Sequence, residues 1–167
     1  MRISGFTLCA LFAATSLFGG TPSASKGSAG FDKMKSLEGT WEGSDPDGKT
    51  VRVSYKTVSA GTAVQETIDH NGMEGAMISM YHLDGERLMM THYCSAGNQP
   101  RMRLTSGTPS SLSFEMFDAT NHASKDDLIM NRLIITWVND THITEAWTAR
   151  VKGKDSVPHL FRLARKS

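Results

Sequence analysis

Apolar and polar residues alternate along much of the chain. Val51, Val53 and Tyr55 point one way while Arg52, Ser54 and Lys56 point the other; Met102 and Leu104 oppose Arg101, Arg103 and Thr105; Leu112, Phe114 and Met116 oppose Ser113 and Glu115. A period of two is the signature of a strand with one face dry and one wet. Turn-forming residues punctuate the runs at Ser59-Ala60-Gly61, Asn71-Gly72, Asp84-Gly85 and Asn139-Asp140, each the chemistry of a tight hairpin. The pattern predicts an all-β fold of about nine or ten strands. Successive hairpins leave exposed edges unless the sheet closes on itself, so the expected architecture is an antiparallel up-and-down β-barrel. Only residues 31–39, FDKMKSLEG, read as a short helical turn, with Gly39 as its stop.

The first 24 residues break this pattern. A positive start at Arg2, an apolar run from Phe6 to Phe18 and then Gly19, Gly20 and Pro22 read as a secretory signal peptide, the run being short for a bilayer span. Cleavage after Ser23, Ala24 or Ala29 places a small residue at the cut. Residues 25–30 read as a flexible spacer, leaving 31–167 as one barrel domain, periplasmic or secreted. Removal of the leader takes away Cys9 and Arg2, so Cys94 stays as a lone thiol, expected to be buried. It also leaves 17 basic residues, the full 18 less Arg2, against 17 acidic ones. That balance gives no electrostatic footprint for nucleic acid or an anionic membrane.

Three segments carry a resemblance. LEGTWEG, residues 37–43, is similar to the Gly-x-Trp signature that opens the first strand of lipocalin and calycin barrels, and MYHLDGERLMMTHYCSAGNQPRMR, residues 80–103, resembles a stretch of exported bacterial lipocalin-like proteins. The resemblance implies a calycin-type barrel in which Trp41 plugs the closed end and a basic residue, Arg162 or Arg165, covers its ring. It implies no activity. The ending VPHLFRLAR resembles the last strand of nitrobindin-type haem barrels, whose histidine ligates iron; His159 is the matching position.

Polar groups on apolar faces are the places to look for chemistry, because burying them is costly without a partner or a purpose. Glu66 shares a face with Val64 and Ile68, and Glu145 shares one with Ile143, Trp147 and Val151. Either these faces line the barrel, or the buried faces are those of Gln65 and Thr67 and of Ala146 and Thr148. Around Asp84-Gly85, a two-residue turn would pair His82 with Arg87 and put Tyr81, Leu88, Met90, His92 and Cys94 on one face. A three-residue turn would group His82 with His92 and Cys94 instead. Met90, His92 and Cys94 stay together in both. Asn98, Gln99 and Arg101 read as a loop that could overhang a barrel mouth, or as plain turn chemistry around Gly97 and Pro100. Ten methionines suit an adaptable apolar lining or a filled core. Glu66, His82, His92 and Cys94 are metal-ligating types, but no CxxC or HExxH spacing occurs, so no metal site is assigned.

These readings lead to an expected function: binding of a small apolar or amphipathic molecule in a lumen lined by Met90, His92, Cys94, Phe114, Met116 and Phe161. Trp41, Glu66, Tyr81, Asn98 and His159 are further candidate contacts. The alternative is a barrel enzyme of isomerase, cyclase or hydrolase type, with Glu66 or His92 as general base near Tyr81 or Asn98. A second alternative is haem bound through His159, the one cofactor the residues suggest.

Overall fold

A computed structural model of the chain describes residues 25–71 and 75–167. The alternation is realised as strands β1 (Gly39–Ser44), β2 (Thr50–Val58), β3 (Ala63–His70), β4 (Met77–Asp84), β5 (Arg87–Tyr93), β6 (Gln99–Thr108), β7 (Ser111–Thr120), β8 (Ile129–Asn139), β9 (His142–Val151), β10 (Lys154–Asp155) and β11 (His159–Arg165). From β1 to β9 each strand pairs antiparallel with the next; β9 then pairs with β11, and β11 with β1. The sheet closes into a ten-stranded barrel, with β10 attached only to β9. Val51, Val53 and Tyr55 are buried in the lumen while Arg52 and Lys56 are exposed, and Met102, Leu112 and Phe114 are likewise inside. Among the described residues no helix is long and apolar enough to cross a membrane.

The helix is longer than its expected span. α1 (Lys26–Ser36) starts on Ser25, whose hydroxyl accepts the N–H of Ser28. Residues 26–30, read as spacer, are therefore helix and correct that expectation. The two glycines that suggested a linker share a helical face with Phe31 and Met34, at the spacing that buries one stripe. A Cβ on Gly27 would lie 1.9 Å from the carbonyl oxygen of Glu86, so only glycine lets the helix approach the β4–β5 turn. Tertiary contact here overrides glycine's poor helix propensity.

This helix plugs one end of the barrel. Trp41 donates its indole N–H to the Leu37 carbonyl at 2.8 Å, and the Arg165 guanidinium lies 4.3 Å above the Trp41 ring centre. Arg165 also donates to the carbonyls of Glu38 (2.7 Å) and Ser36 (2.8 Å), groups at the helix end without a helical partner. Of the two arginines expected to cover Trp41, Arg165 does so.

Two turns sit one residue further along than expected. Asp84 pairs with Arg87, so Gly85 and Glu86 make the β4–β5 turn, and Asn139 pairs with His142, so Asp140 and Thr141 make the next. His82 consequently faces Met89, not Arg87, and is exposed. The two registers differ by two residues, which preserves faces, so Tyr81, Leu88, Met90, His92 and Cys94 are all buried together. The expected signal peptide, the glycine of the Asn71-Gly72 turn and Met73 lie outside the described residues.

Candidate functional site

Glu66 on β3 and Glu145 on β9 both point into the lumen, each fully buried. The strand pairing brings them to one tyrosine. Tyr55 sits opposite Glu66 across the β2–β3 ladder, its hydroxyl 2.8 Å from Glu66 Oε1 and 2.6 Å from Glu145 Oε1. Tyr81 donates to Glu66 Oε2 at 3.0 Å, the Ser79 hydroxyl also reaches Glu66, and the Trp147 indole donates to Glu145 Oε2 at 3.1 Å. A phenol has one proton and cannot donate to two carboxylates at once. One carboxyl must therefore carry a proton itself.

Electrostatics says which. Burial, and then the charge of Glu66, push Glu145 up to about 8. Burial raises Glu66 too, but the hydroxyls of Ser79, Tyr55 and Tyr81 work against that shift by solvating its charge. Glu145 therefore carries the pair's proton at neutral pH. Burial followed by the two carboxylates holds Tyr55 and Tyr81 well above the ordinary phenol range, so both stay protonated donors.

The network ends at a cavity. Ser79 Oγ lies 3.0 Å from His92 Nδ1. In the tautomer whose Nδ1–H donates to Ser79 Oγ, Nε2 is a bare acceptor. That Nε2 is buried and has no hydrogen-bond partner, although such groups are normally satisfied. Burial lowers the His92 pKa to about 4, so the ring is neutral. It packs against the Trp147 indole with ring centres 4.7 Å apart. Both rings line a cavity of about 550 Å³ at the end of the barrel opposite α1, open to solvent on one side. Ile68, Met77, Met130 and Phe161 supply apolar wall, and Leu128 and Val157, both exposed, form an apolar rim.

Of the residues expected from sequence, His92, Cys94, His159 and Phe161 line this cavity. Trp41, Met90 and Phe114 are fully buried in the core nearer the plugged end or mid-barrel, and Met116 is half-buried. Glu66 and Tyr81 are not among the cavity-lining residues; Glu66 connects to the cavity through Ser79 and His92, and through Tyr55, Glu145 and Trp147. Asn98 does not overhang the mouth: it is buried and donates to the Leu128 carbonyl at 2.7 Å, while Gln99 and Arg101 belong to β6, with Arg101 paired to Asp118 on the outside. His82, a candidate metal ligand, is on the outer surface. Sequence reasoning missed Ser79, whose place between Met77 and Tyr81 marks it as an inward polar residue. It also missed the partnership of Tyr55 with Glu66, which follows from pairing residues outward from Ser59-Ala60-Gly61.

As a general base His92 would act with an available lone pair but low basicity, since the optimum lies near the working pH. Its geometry is better suited to accepting a hydrogen bond. No family model matches the chain, and no curated protein does. Among solved structures, a redesigned β-barrel, mFAP1, bound to DFHBI, is similar over 80% of this chain and 97% of its own, at 12% identity and a TM-score of 0.34.

Proposed function

We propose that this is an exported binding protein whose barrel holds a small, mainly apolar molecule carrying one hydrogen-bond donor, such as a hydroxyl or an amide N–H. The observation that carries the reading is His92 Nε2, a buried ring nitrogen without a partner in the wall of an apolar cavity, and an acceptor when Nδ1–H bonds Ser79. A volume of about 550 Å³ falls in the usual range for small-molecule sites, and such sites pair an apolar lining with few polar groups. A guest's donor would satisfy Nε2, and its apolar body would displace water from Ile68, Met77 and Phe161. The pattern of residues 1–24 supports export.

The test is calorimetric titration with 2-naphthol and its methyl ether, followed also by Trp147 fluorescence. The naphthol is expected to bind about tenfold more tightly, the worth of one net hydrogen bond, and His92→Phe to erase that preference. Failure of both compounds to bind would sink the reading. Native mass spectrometry of the protein taken from its own cells then identifies the natural guest, and a Soret band there would favour haem instead.

A further inference from the structure

At the cavity's edge three side chains converge on a point that the hydrogen bonding leaves incomplete. Asp45 directly follows β1. Its Oδ1 accepts the backbone N–H groups of Asp47 (2.9 Å) and Lys49 (2.8 Å), which fixes the carboxylate in the turn before β2. Its Oδ2 faces two imidazoles: Nε2 of His70, the last residue of β3, at 2.9 Å, and Nε2 of His159, the first residue of β11, at 3.5 Å. The carboxylate is almost wholly covered, with 1% of its side chain exposed. His70 makes the hydrogen bond to it. His159 does not: its Nε2 is sealed from solvent and has no hydrogen-bond partner. A structural His70–Asp45 strut accounts for one imidazole and leaves the second unexplained.

We propose that Asp45, His70 and His159 bind one divalent transition-metal ion. All three donor atoms lie within 4.8 Å of one another. Donors around a tetrahedral ion with bonds of roughly 2.1 Å stand about 3.4 Å apart. The observed 2.9 and 3.5 Å from Asp45 need only small adjustments, and the two imidazole nitrogens stand within 4.8 Å of each other. Two imidazoles and a carboxylate select zinc, iron, cobalt or copper over magnesium or calcium, which prefer all-oxygen shells. The supporting contacts are those a metal site uses. Backbone N–H groups orient Asp45, and the Phe161 ring packs against both imidazoles, 5.6 Å from His70 and 5.3 Å from His159 between centres. His70 and His159 also belong to the cavity wall, so the ion would sit at the cavity's edge, shielded by the two rings. The site does not depend on the cavity's holding an organic guest.

The experiment titrates Zn²⁺ into the tag-free, chelator-stripped full chain by calorimetry, and records the visible spectrum with Co²⁺. One Zn²⁺ per chain is expected, together with the absorption bands of a low-coordinate Co²⁺. His159→Ala and His70→Ala should each weaken Zn²⁺ binding at least about 100-fold, judged against the 10- to 100-fold that mere supporting residues cost. His82→Ala, on the outer surface, should leave it unchanged. Asp45→Asn also disturbs the turn, so the half-exposed His159 carries the decision, with circular dichroism confirming its fold. Absence of stoichiometric Zn²⁺, or wild-type affinity in His159→Ala, overturns the proposal. Repeating the 2-naphthol titration on metal-free protein separates the two readings: naphthol without zinc rejects only the metal site, zinc without naphthol only the guest.

Discussion

Glu145 holds its proton to about pH 8 in the folded barrel, against a usual value of 4.5. Between those values the folded state binds a proton that the unfolded chain has released, so stability falls as pH rises. Glu66, raised as well, adds to the same side. His92 acts in the opposite sense: its pKa is about 4 folded against 6.5, the unfolded state binds the extra proton, and stability rises with pH across that window. Below about pH 6.5 the two effects oppose each other. From about 6.5 to 8 the carboxyl side stands alone, and at 1.36 kcal/mol per pH unit it removes on the order of 2 kcal/mol. Urea unfolding at pH 6.5, 7.25 and 8 should show this decline, opposite to the trend expected of an acid stabilised by ion pairing. Glu145→Gln keeps the shape of the side chain without its charge and should flatten the curve above pH 6.5. An equal decline in that variant would mean that the titrating group lies elsewhere.

The elements show how local chemistry and tertiary contact divided the work. Asn139 Oδ1 accepts the N–H of Thr141 at 2.9 Å, an Asx turn that makes Asn139 the residue before the turn and not its first central member. Gly85, with φ of 59°, occupies the first central position, where a type II′ hairpin requires glycine; reading Asp84-Gly85 as the central pair assumed the I′ arrangement. Strand faces were legible because they depend on parity, which a two-residue change of register leaves intact. Helix α1 was legible only in its second half, since its first half is specified by what Gly27 touches. That contact gives a prediction. Gly27→Ala puts a methyl group into the Glu86 carbonyl, so despite alanine's better helix propensity it should destabilise the barrel by about 1 to 3 kcal/mol, the cost of overpacking. Chemical denaturation measures it, with 2-naphthol binding at the far end retained. A neutral or stabilising result would show that the helix moves aside at no cost.

Across the whole molecule the lumen is divided by height: helix, Trp41 and Arg165 at one end, the proton-sharing carboxylates in the middle, the cavity at the other. Alternation along single strands revealed that polar residues were on inward faces, but it could not show which of them meet. Tyr55 and Glu145 are 90 residues apart and touch only because β9, β11 and β1 close the barrel. Asp45, His70 and His159 converge for the same reason, each contributed by the end of a different strand or the turn beyond it. This layering makes local motions at the two ends separable. Openings at the cavity end destroy the site, whereas openings at the helix end leave it intact; a guest therefore suppresses only the first kind. At a free 2-naphthol concentration of 100 times Kd, amides near Leu128–Asn131 and His159–Phe161 that exchange by local opening should slow by about 100-fold. Locally exchanging amides in α1 and around Glu86 should keep their rates. Hydrogen exchange resolved by peptide mass spectrometry reads both ends in one experiment. Slowing that is uniform along the barrel would mean that guest release requires global unfolding, and slowing confined to the helix end would place the guest under α1, not beside His92.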